Sequence, residues 1–318
     1  MGKLTFYNPI LDPGADPWVY KEKDTYYFMV TKRTRLDLWK SPTLSGMAEG
    51  NCKTIWTAPS EGINCANIWA PEIHRINGKW YIYFTANDGI GDDQSRKIFV
   101  LENSAEDPFN GDWVERGYVN TEYPGLDGTI FEHKGRLYFV YAGYGNFPEY
   151  GSALYIAEME NPWTLTGPNV LLSKPEYDWE KQGGMAINEG PVMLKRNNKL
   201  FLVYSASTTW SDDYSLGMLT TSENKDVMNP EVWVKSMSLY LRKVSKIKYL
   251  LLAIIVLHNL LMGQKIGLFI MLSPNQKEEA SNEVPEYKNS IGMSMVPLIL
   301  ESHYVHQHRL PFLLVSDK

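Results

Sequence analysis

A hairpin-like unit occurs four times in this chain, and this repeat restricts the fold more than any other feature. Each copy has a polar turn followed by a strand rich in aromatic and β-branched residues, which is typical of a tight β-hairpin. The hairpins begin near residues 19, 72, 129 and 191, so the period is 53 to 62 residues. A period of this size with only hairpin elements inside it predicts β-propeller blades of about four strands each.

The chain has 318 residues, which is enough for five blades at this spacing. Four blades can be recognised before residue 236, and a fifth hairpin is due near residue 253. The predicted fold class is therefore an all-β, five-bladed propeller, of which four blades can be recognised in the sequence. The expected division of the chain is a propeller domain of residues 1–235 followed by a different segment, residues 236–318.

The composition indicates a soluble protein without a nucleic-acid partner. Hydrophobic residues make up 44% and charged residues 21%, and the net charge is −6 with no basic patch. Cys52 and Cys65 could pair, but a single pair in a chain of this length is more often two thiols. The first residues, MGKLTFYNPI, contain no apolar export segment, which predicts a cytoplasmic protein.

Three carboxylates precede the inner strands of three units. Asp16 lies in GADPW, ahead of a proline that cannot donate to a sheet, so the strand begins after it. Asp127 stands at the same place in the third unit, and Glu189 at that place in the fourth. An Asp beside a proline is also a common turn residue, which is the alternative for Asp16. Because equivalent positions of a propeller converge on one face, we expect the three side chains to share one cavity.

Convergent carboxylates in a ring of blades are suited to glycoside hydrolysis. One carboxylic acid protonates the departing oxygen and one carboxylate activates a water molecule. A third carboxylate nearby keeps the acid protonated by like-charge repulsion. Trp69 could provide an apolar face for a sugar ring or fill the space between blades. The other candidates for sugar binding are Leu126 and Asn188, next to two of the carboxylates.

Four ordered motifs resemble glycoside hydrolase family 43, whose members are five-bladed propellers. They are GADPW, NIWAPE, GLDGTIF and NEGP, and the resemblance covers residues 5 to about 235. The segments SPTLSGM and DDYSLGMLT look most like the exo-acting α-L-arabinofuranosidase branch. The resemblance implies Asp16 as general base, Glu189 as general acid and Asp127 as the residue that tunes and orients the acid, with inversion at the anomeric carbon.

The resemblance implies an arabinose- or xylose-containing oligosaccharide as the substrate and no cofactor. Parts of the family hold a metal on the propeller axis, commonly through a histidine that this polypeptide lacks, so no metal is assigned. A β-D-xylosidase of the same family would differ only in details of the pocket. A non-catalytic carbohydrate-binding propeller is the second alternative, but it would not need all three carboxylates.

The last 83 residues depart from everything before them. All ten tryptophans lie at or before Trp233, and only three of 24 glycines lie beyond residue 235. The apolar run at 249–257 is far shorter than the ~20 residues of a spanning helix, so a membrane anchor is disfavoured. A separate helical segment is the second explanation. The third is an out-of-frame tail in place of the fifth blade.

A shifted reading frame explains the tail best. If the true reading frame starts one base earlier, the codons for residues 251–271 can encode PGHNSFTQSPDGTKDWIVYHA. This sequence contains a Pro-Asp-Gly turn followed by an aromatic strand. We therefore predict a frame error that begins near Lys235, and no role for His258, which would arise in the wrong frame. For this tail we expect a helical or poorly ordered segment.

Overall fold

The four repeated units fold into four antiparallel sheets arranged as the blades of a propeller. The structure is a computed structural model that describes residues 15–44, 46–47, 49–90 and 93–238, together with the backbone of four strands beyond them. The described residues contain strands and three short 3₁₀ turns, with no α-helix among them. The prediction of an all-β propeller is confirmed for its four blades.

Each blade consists of four strands that follow one another in chain order. Blade 1 contains β1 (Trp18–Glu22), β2 (Thr25–Met29), β3 (Arg35–Ser41) and β4 (Asn51–Thr57). Blade 2 contains β5 (Ala66–Ile76), β6 (Lys79–Asn87), β7 (Lys97–Asn103) and β8 (Val114–Tyr118).

Blade 3 contains β9 (Gly125–His133), β10 (Arg136–Gly143), β11 (Ala153–Asn161) and β12 (Thr164–Ser173). Blade 4 contains β13 (Asn188–Arg196), β14 (Lys199–Ala206), β15 (Ser215–Ser222) and β16 (Val234–Lys235). The first strand of each blade lies innermost, since β1 contacts β5, β5 contacts β9, and β9 contacts β13.

The hydrophobic core lies between the blades rather than at the centre of the ring. Three apolar clusters fill the contacts of blades 1 and 2, blades 2 and 3, and blades 3 and 4. Trp18, Trp39 and Trp80 are buried in the first cluster and Trp56 packs against it, as expected for tryptophans between sheets. Burial on both faces explains why the second strands of the blades read as nearly continuous apolar runs.

Beyond residue 238 the structure describes only backbone strands. A short strand, β17 (Leu241–Arg242), pairs with β15. The strands β18 (Val256–Leu260), β19 (Lys265–Leu272) and β20 (Gly292–Leu298) form a three-stranded antiparallel sheet. The first of these strands lies against both β1 and β13.

The sequence predicts a helical or poorly ordered segment at residues 236–318. Helix is wrong for the segments described beyond residue 238, because all of them are strands. The side-chain pattern led to the wrong prediction, since an apolar run of this length is compatible with either a helix or a strand. The rest of the tail lies outside the described residues, and its out-of-frame origin stays a prediction. In the described parts of the chain, no helix is long and apolar enough to cross a membrane.

Candidate active site

Each blade has a residue with left-handed backbone geometry at an equivalent position in or just before its inner strand. These residues are Asp16, Ala70, Asp127 and Gly190, with φ angles of 49°, 43°, 54° and 56°. Each lies six residues before the strand residue that closes the inner hairpin. In blades 2, 3 and 4 the strand register shifts there, which marks a β-bulge. Bulges turn side chains away from the sheet and are common beside active sites.

Asp16 and Asp127 occupy the left-handed position, as the repeat predicted, but Glu189 does not. Glu189 pairs with Ser205 one residue ahead of the bulge, and Gly190 takes the left-handed position. The prediction of one shared position is therefore wrong by one residue for Glu189. The physical reason is that a bulge adds a residue to the strand, so sequence spacing alone does not fix the register.

Glu189 is buried at the start of β13 and bonded to a tyrosine. The hydroxyl of Tyr214 donates a hydrogen bond of 2.7 Å to Oε1 of Glu189. The pKa of Glu189 is raised to about 7, mainly by burial and also by the negative charges of Asp16 and Asp93, whereas the hydrogen bond from Tyr214 lowers it. A carboxyl with this pKa is substantially protonated at neutral pH.

Asp127 is also buried and is bonded to the neighbouring bulge. Its Oδ2 accepts a hydrogen bond of 3.0 Å from the N–H of Gly190, and its own N–H donates to Oγ1 of Thr85 at 3.1 Å. Burial raises the pKa of Asp127 well above its usual value, and the charges of Glu189 and Asp16 act in the same direction. Blades 3 and 4 are therefore joined directly between two of the carboxyl-bearing segments.

Asp16 is partly exposed and is held by blades 1 and 2. Its Oδ2 accepts a hydrogen bond from the hydroxyl of Thr31, which in turn accepts the N–H of Ala70 at 2.8 Å. Burial raises the pKa of Asp16, whereas the Thr31 hydroxyl and the positive charge of Arg33 oppose this rise. The charge of Asp16 contributes to the raised pKa of both Asp127 and Glu189, so the three carboxyls lie within electrostatic reach of one another. That they line one cavity stays a prediction.

Of the three residues expected to bind sugar, Trp69 contacts an arginine whose charge reaches Asp127. Trp69 is half-buried, and the guanidinium of Arg96 lies 3.5 Å from the centre of its ring. Leu126 instead belongs to the apolar cluster between blades 3 and 4. The sugar-binding role for Trp69 stays a prediction.

Asn188 has a supporting position rather than an exposed one. It is 0% exposed, its Nδ2 donates to Oε1 of Glu180 at 3.0 Å, and its Oδ1 accepts from the hydroxyl of Ser173 at 2.8 Å. Its side chain lies opposite that of Glu189 because neighbouring strand residues point to opposite faces. Because the side chain of Asn188 is buried and both its nitrogen and its oxygen are hydrogen-bonded within the protein, it offers no accessible group to a sugar.

Sequence reasoning missed two residues of the site. Tyr214 lies within DDYSLGMLT, a segment that was recognised only as a family resemblance. Arg96 has no motif around it, and its side chain is buried beside Trp69. Both lie in the connection between the second and third strands of a blade, outside the hairpin that the sequence repeats.

The described residues do not form a metal centre. No three His, Cys, Asp or Glu side chains within them are grouped so as to hold an ion. His74 and Glu72 contact each other at 2.9 Å between the inner strands, and burial lowers the pKa of His74 to about 3. This pair alone does not fit the axial metal found in parts of the family. The two cysteines, Cys52 and Cys65, are free thiols as expected.

Comparisons with known proteins agree on one family. The family described as "Glycosyl hydrolases family 43" matches residues 6–246. An extracellular exo-α-(1→5)-L-arabinofuranosidase of Streptomyces chartreusis is 44% identical over 237 residues, which are 73% of this chain and 71% of that protein. The protein of the same name from Streptomyces avermitilis is 39% identical over 238 residues, 73% of this chain and 49% of its own length.

Among the solved structures, one resembles the fold of this chain over most of its length. The crystal structure of an α-L-arabinofuranosidase from Lactobacillus brevis has a TM-score of 0.84 and 33% identity, covering 92% of each chain. This chain spans about half the length of the Streptomyces avermitilis relative.

The cytoplasmic location expected from the first residues is contradicted. Both Streptomyces relatives are named extracellular, which points to a secreted protein. A propeller without disulfides gives no independent signal of its compartment, so the expectation depended on the first ten residues alone. The prediction of a cytoplasmic protein is therefore wrong.

Proposed function

The chain belongs to glycosyl hydrolase family 43 and is a glycosidase, and from this premise we propose that it is an inverting exo-α-L-arabinofuranosidase acting outside the cell. The observation that supports the proposal is that the charges of Asp16, Asp127 and Glu189 affect one another, with the pKa of Glu189 raised to about 7. These groups supply a protonated acid and a carboxylate base to the same ligand.

In the proposed reaction, Glu189 is the general acid. Its protonated carboxyl gives a proton to the glycosidic oxygen as the bond from that oxygen to the anomeric carbon breaks. The hydrogen bond from Tyr214 stabilises the carboxylate that remains. The alcohol of the next sugar then departs as a neutral molecule.

Asp16 is the proposed general base. Its carboxylate accepts a proton from a water molecule as the water oxygen bonds to the anomeric carbon on the opposite face of the ring. The product is a free sugar with inverted anomeric configuration. The hydrogen bond from Thr31 and the charge of Arg33 favour the ionised form that this role requires.

Asp127 is the proposed modulator and orienting residue. It accepts the N–H of Gly190, the residue directly after the acid, and so fixes the bulge that carries Glu189. The charge interaction between Asp127 and Glu189 disfavours ionisation of both carboxyls at once. Asp127 does not need to contact the anomeric carbon.

The proposed substrate is a terminal α-L-arabinofuranosyl residue of an arabino-oligosaccharide or an arabinoxylan fragment. The names of the Streptomyces and Lactobacillus relatives support an arabinofuranoside. The alternative β-D-xylosidase activity is not favoured, because these relatives are named arabinofuranosidases. A non-catalytic binding propeller is disfavoured by the family itself, which consists of hydrolases.

The test is release of arabinose and xylose from 4-nitrophenyl α-L-arabinofuranoside and 4-nitrophenyl β-D-xyloside. We expect hydrolysis of the arabinofuranoside with a large preference over the xyloside. In an Asp16→Asn variant, we expect hydrolysis of the natural oligosaccharide to fall roughly 10²- to 10⁴-fold. Proton NMR of the first-formed sugar should show inversion, in line with acid and base carboxyls about 6.5–9.5 Å apart. Retention of configuration, or equal activity of the variant, would contradict the proposal.

A further inference from the structure

Arg96 lies between blade 2 and the strand that carries Asp127. It precedes β7, and its carbonyl oxygen accepts the N–H of Gly125, the first residue of β9, at 3.3 Å. Its side chain is only 5% exposed. The positive charge of Arg96 opposes the rise in the pKa of Asp127 and in that of Tyr144. The guanidinium therefore lies within electrostatic reach of the carboxylate cavity.

Two contacts fix the orientation of the guanidinium. Its carbon lies 3.5 Å from the centre of the Trp69 ring, a cation–π contact at close range. Its Nε and Nη2 both donate to Oδ1 of Asp93, at 2.9 and 2.6 Å. The plane of the group is thus set by a ring on one side and a carboxylate along one edge.

The remaining nitrogen, Nη1, is buried without a partner in the part of the chain that the structure describes. A guanidinium cannot lose its proton and has no acceptor atom, so Nη1 can only donate. An unpaired charged donor away from water is unfavourable, and such groups in proteins generally have a role. The partner that fits such a donor is an acceptor oxygen brought by a ligand.

We propose that Nη1 of Arg96 donates a hydrogen bond to a ring hydroxyl of the terminal arabinofuranosyl residue, and that Arg96 determines specificity for that sugar. The inference rests on the proposed function and names one of its sugar-binding groups. Trp69 and Asp93 hold the guanidinium in place before the substrate arrives, so little order is gained on binding. Arg96 takes no proton and makes no bond to the anomeric carbon.

The experiment compares the unsubstituted chain with Arg96→Lys on four substrates. These are 4-nitrophenyl α-L-arabinofuranoside and its 2-deoxy, 3-deoxy and 5-deoxy analogues. Lysine keeps the positive charge near Asp127 but is one compact donor in place of the fork, so it cannot hold Asp93 and reach the sugar together. We expect kcat/KM of Arg96→Lys to fall ~10- to 100-fold on the parent substrate.

The diagnostic result is the pattern across the analogues. The loss should persist on two of them and disappear on the analogue that lacks the contacted hydroxyl, since that hydrogen bond is already absent. An equal loss on all four substrates would show that Arg96 only maintains the structure, and no loss on the parent would remove its role. Either result overturns the inference.

A second variant covers the case in which Arg96→Lys does not fold, as judged by circular dichroism. Asp93→Asn keeps the shape of the clamp but weakens it, so a smaller loss with the same analogue pattern is expected. Asp93 also affects the pKa of Glu189, which changes all four rates alike and leaves the ratios between substrates unchanged. A flat pattern in this variant also overturns the inference.

Failure of the proposed function would be visible separately, as absence of hydrolysis by the unsubstituted chain. In that event the same variants are tested for binding of an α-1,5-linked arabinotriose by calorimetry. Weaker binding by Arg96→Lys than by the unsubstituted chain would support the contact. Equal binding by the two proteins, or no binding by the unsubstituted chain, would overturn it.

Discussion

Blades 3 and 4 contain the same β-bulge but use it in different ways. In blade 3 the left-handed residue is Asp127, so the bulge itself carries the carboxyl. In blade 4 the left-handed residue is Gly190, and the carboxyl comes from Glu189 one position earlier. The two bulges meet, because the N–H of Gly190 donates to Asp127.

The difference shows that the repeat conserves backbone shape within this chain and not the position of the functional group. Glutamate is one methylene longer than aspartate, so a carboxyl that starts one residue away can still reach the same cavity. The glycine left at the bulge then offers its N–H without a side chain in the way. One blade thus supplies a carboxyl and the other supplies both a carboxyl and the donor that orients its neighbour.

The largest expected effect comes from replacing the proposed base and acid by amides. Asp16→Asn should lower kcat by roughly 10²- to 10⁴-fold on every arabinofuranoside, because no other group deprotonates the water. Glu189→Gln should have a similar effect on arabino-oligosaccharides but a much smaller one on 4-nitrophenyl α-L-arabinofuranoside, whose phenol departs without a proton. Steady-state rates on both substrate types measure the difference.

This pair of variants sharpens the comparison, since it separates the carboxyl at a bulge from the carboxyl ahead of one. Both substitutions keep size and hydrogen-bonding shape, so each serves as the control for the other. Equal losses of Glu189→Gln on good and poor leaving groups would mean that the acid and base are assigned the wrong way round or that neither assignment holds.

The blades and the three carboxyls could be predicted because both depend on local sequence. The turn and aromatic strand recur, and Asp16 and Asp127 stand a fixed distance before them. The displacement of Glu189 could not be seen, since Gly190 and its bulge are visible only in the strand register. The expectation that Asn188 contacts the sugar overlooked the strand geometry, since a strand neighbour of Glu189 points to the other face.

Arg96 and Tyr214 escaped prediction for a different reason. Both lie directly before the third strand of a blade, outside the repeated hairpin, and only tertiary packing brings them near the carboxyls. The strands β18 to β20 were also missed, because an apolar run without turn glycines does not distinguish strand from helix.

The next effect concerns the pH dependence of the acid. As general acid, Glu189 must be protonated, so activity should fall as pH rises through its pKa of about 7. The hydroxyl of Tyr214 bonds to the ionised carboxyl and lowers that pKa. Tyr214→Phe removes this bond, so the pKa rises and the alkaline limb of kcat/KM should move to higher pH by about one unit.

A matched control for Tyr214→Phe is Tyr141→Phe. Tyr141 is equally buried, but its hydroxyl bonds to Asn169 in blade 3. Its removal should leave the alkaline limb where it is. A shift of the limb to lower pH in Tyr214→Phe, or the same shift in both variants, would mean that the limb does not report Glu189.

The smallest effects come from the bulge backbone and test whether its geometry is shared by all blades. Gly190 has a φ angle of 56°, where a Cβ is unfavourable, so Gly190→Ala should destabilise the fold by about 1–2 kcal/mol. Ala70 occupies the same position in blade 2 with a φ angle of 43°, so this blade already contains a left-handed alanine and its unfavourable free energy.

The reciprocal change, Ala70→Gly, should therefore have the opposite sign. It relieves the strain of a left-handed alanine, although the more flexible glycine in the unfolded chain offsets part of the gain, which leaves a stabilisation of under ~1 kcal/mol. Urea unfolding of the two variants measures both values in one assay. If both substitutions destabilise the protein, the bulge of blade 2 owes its left-handed residue to contacts around Ala70, and the left-handed positions of the blades are not equivalent. Opposite signs would mean that the same backbone is imposed on every blade and that Asp127 tolerates it because aspartate is accepted there more readily than alanine.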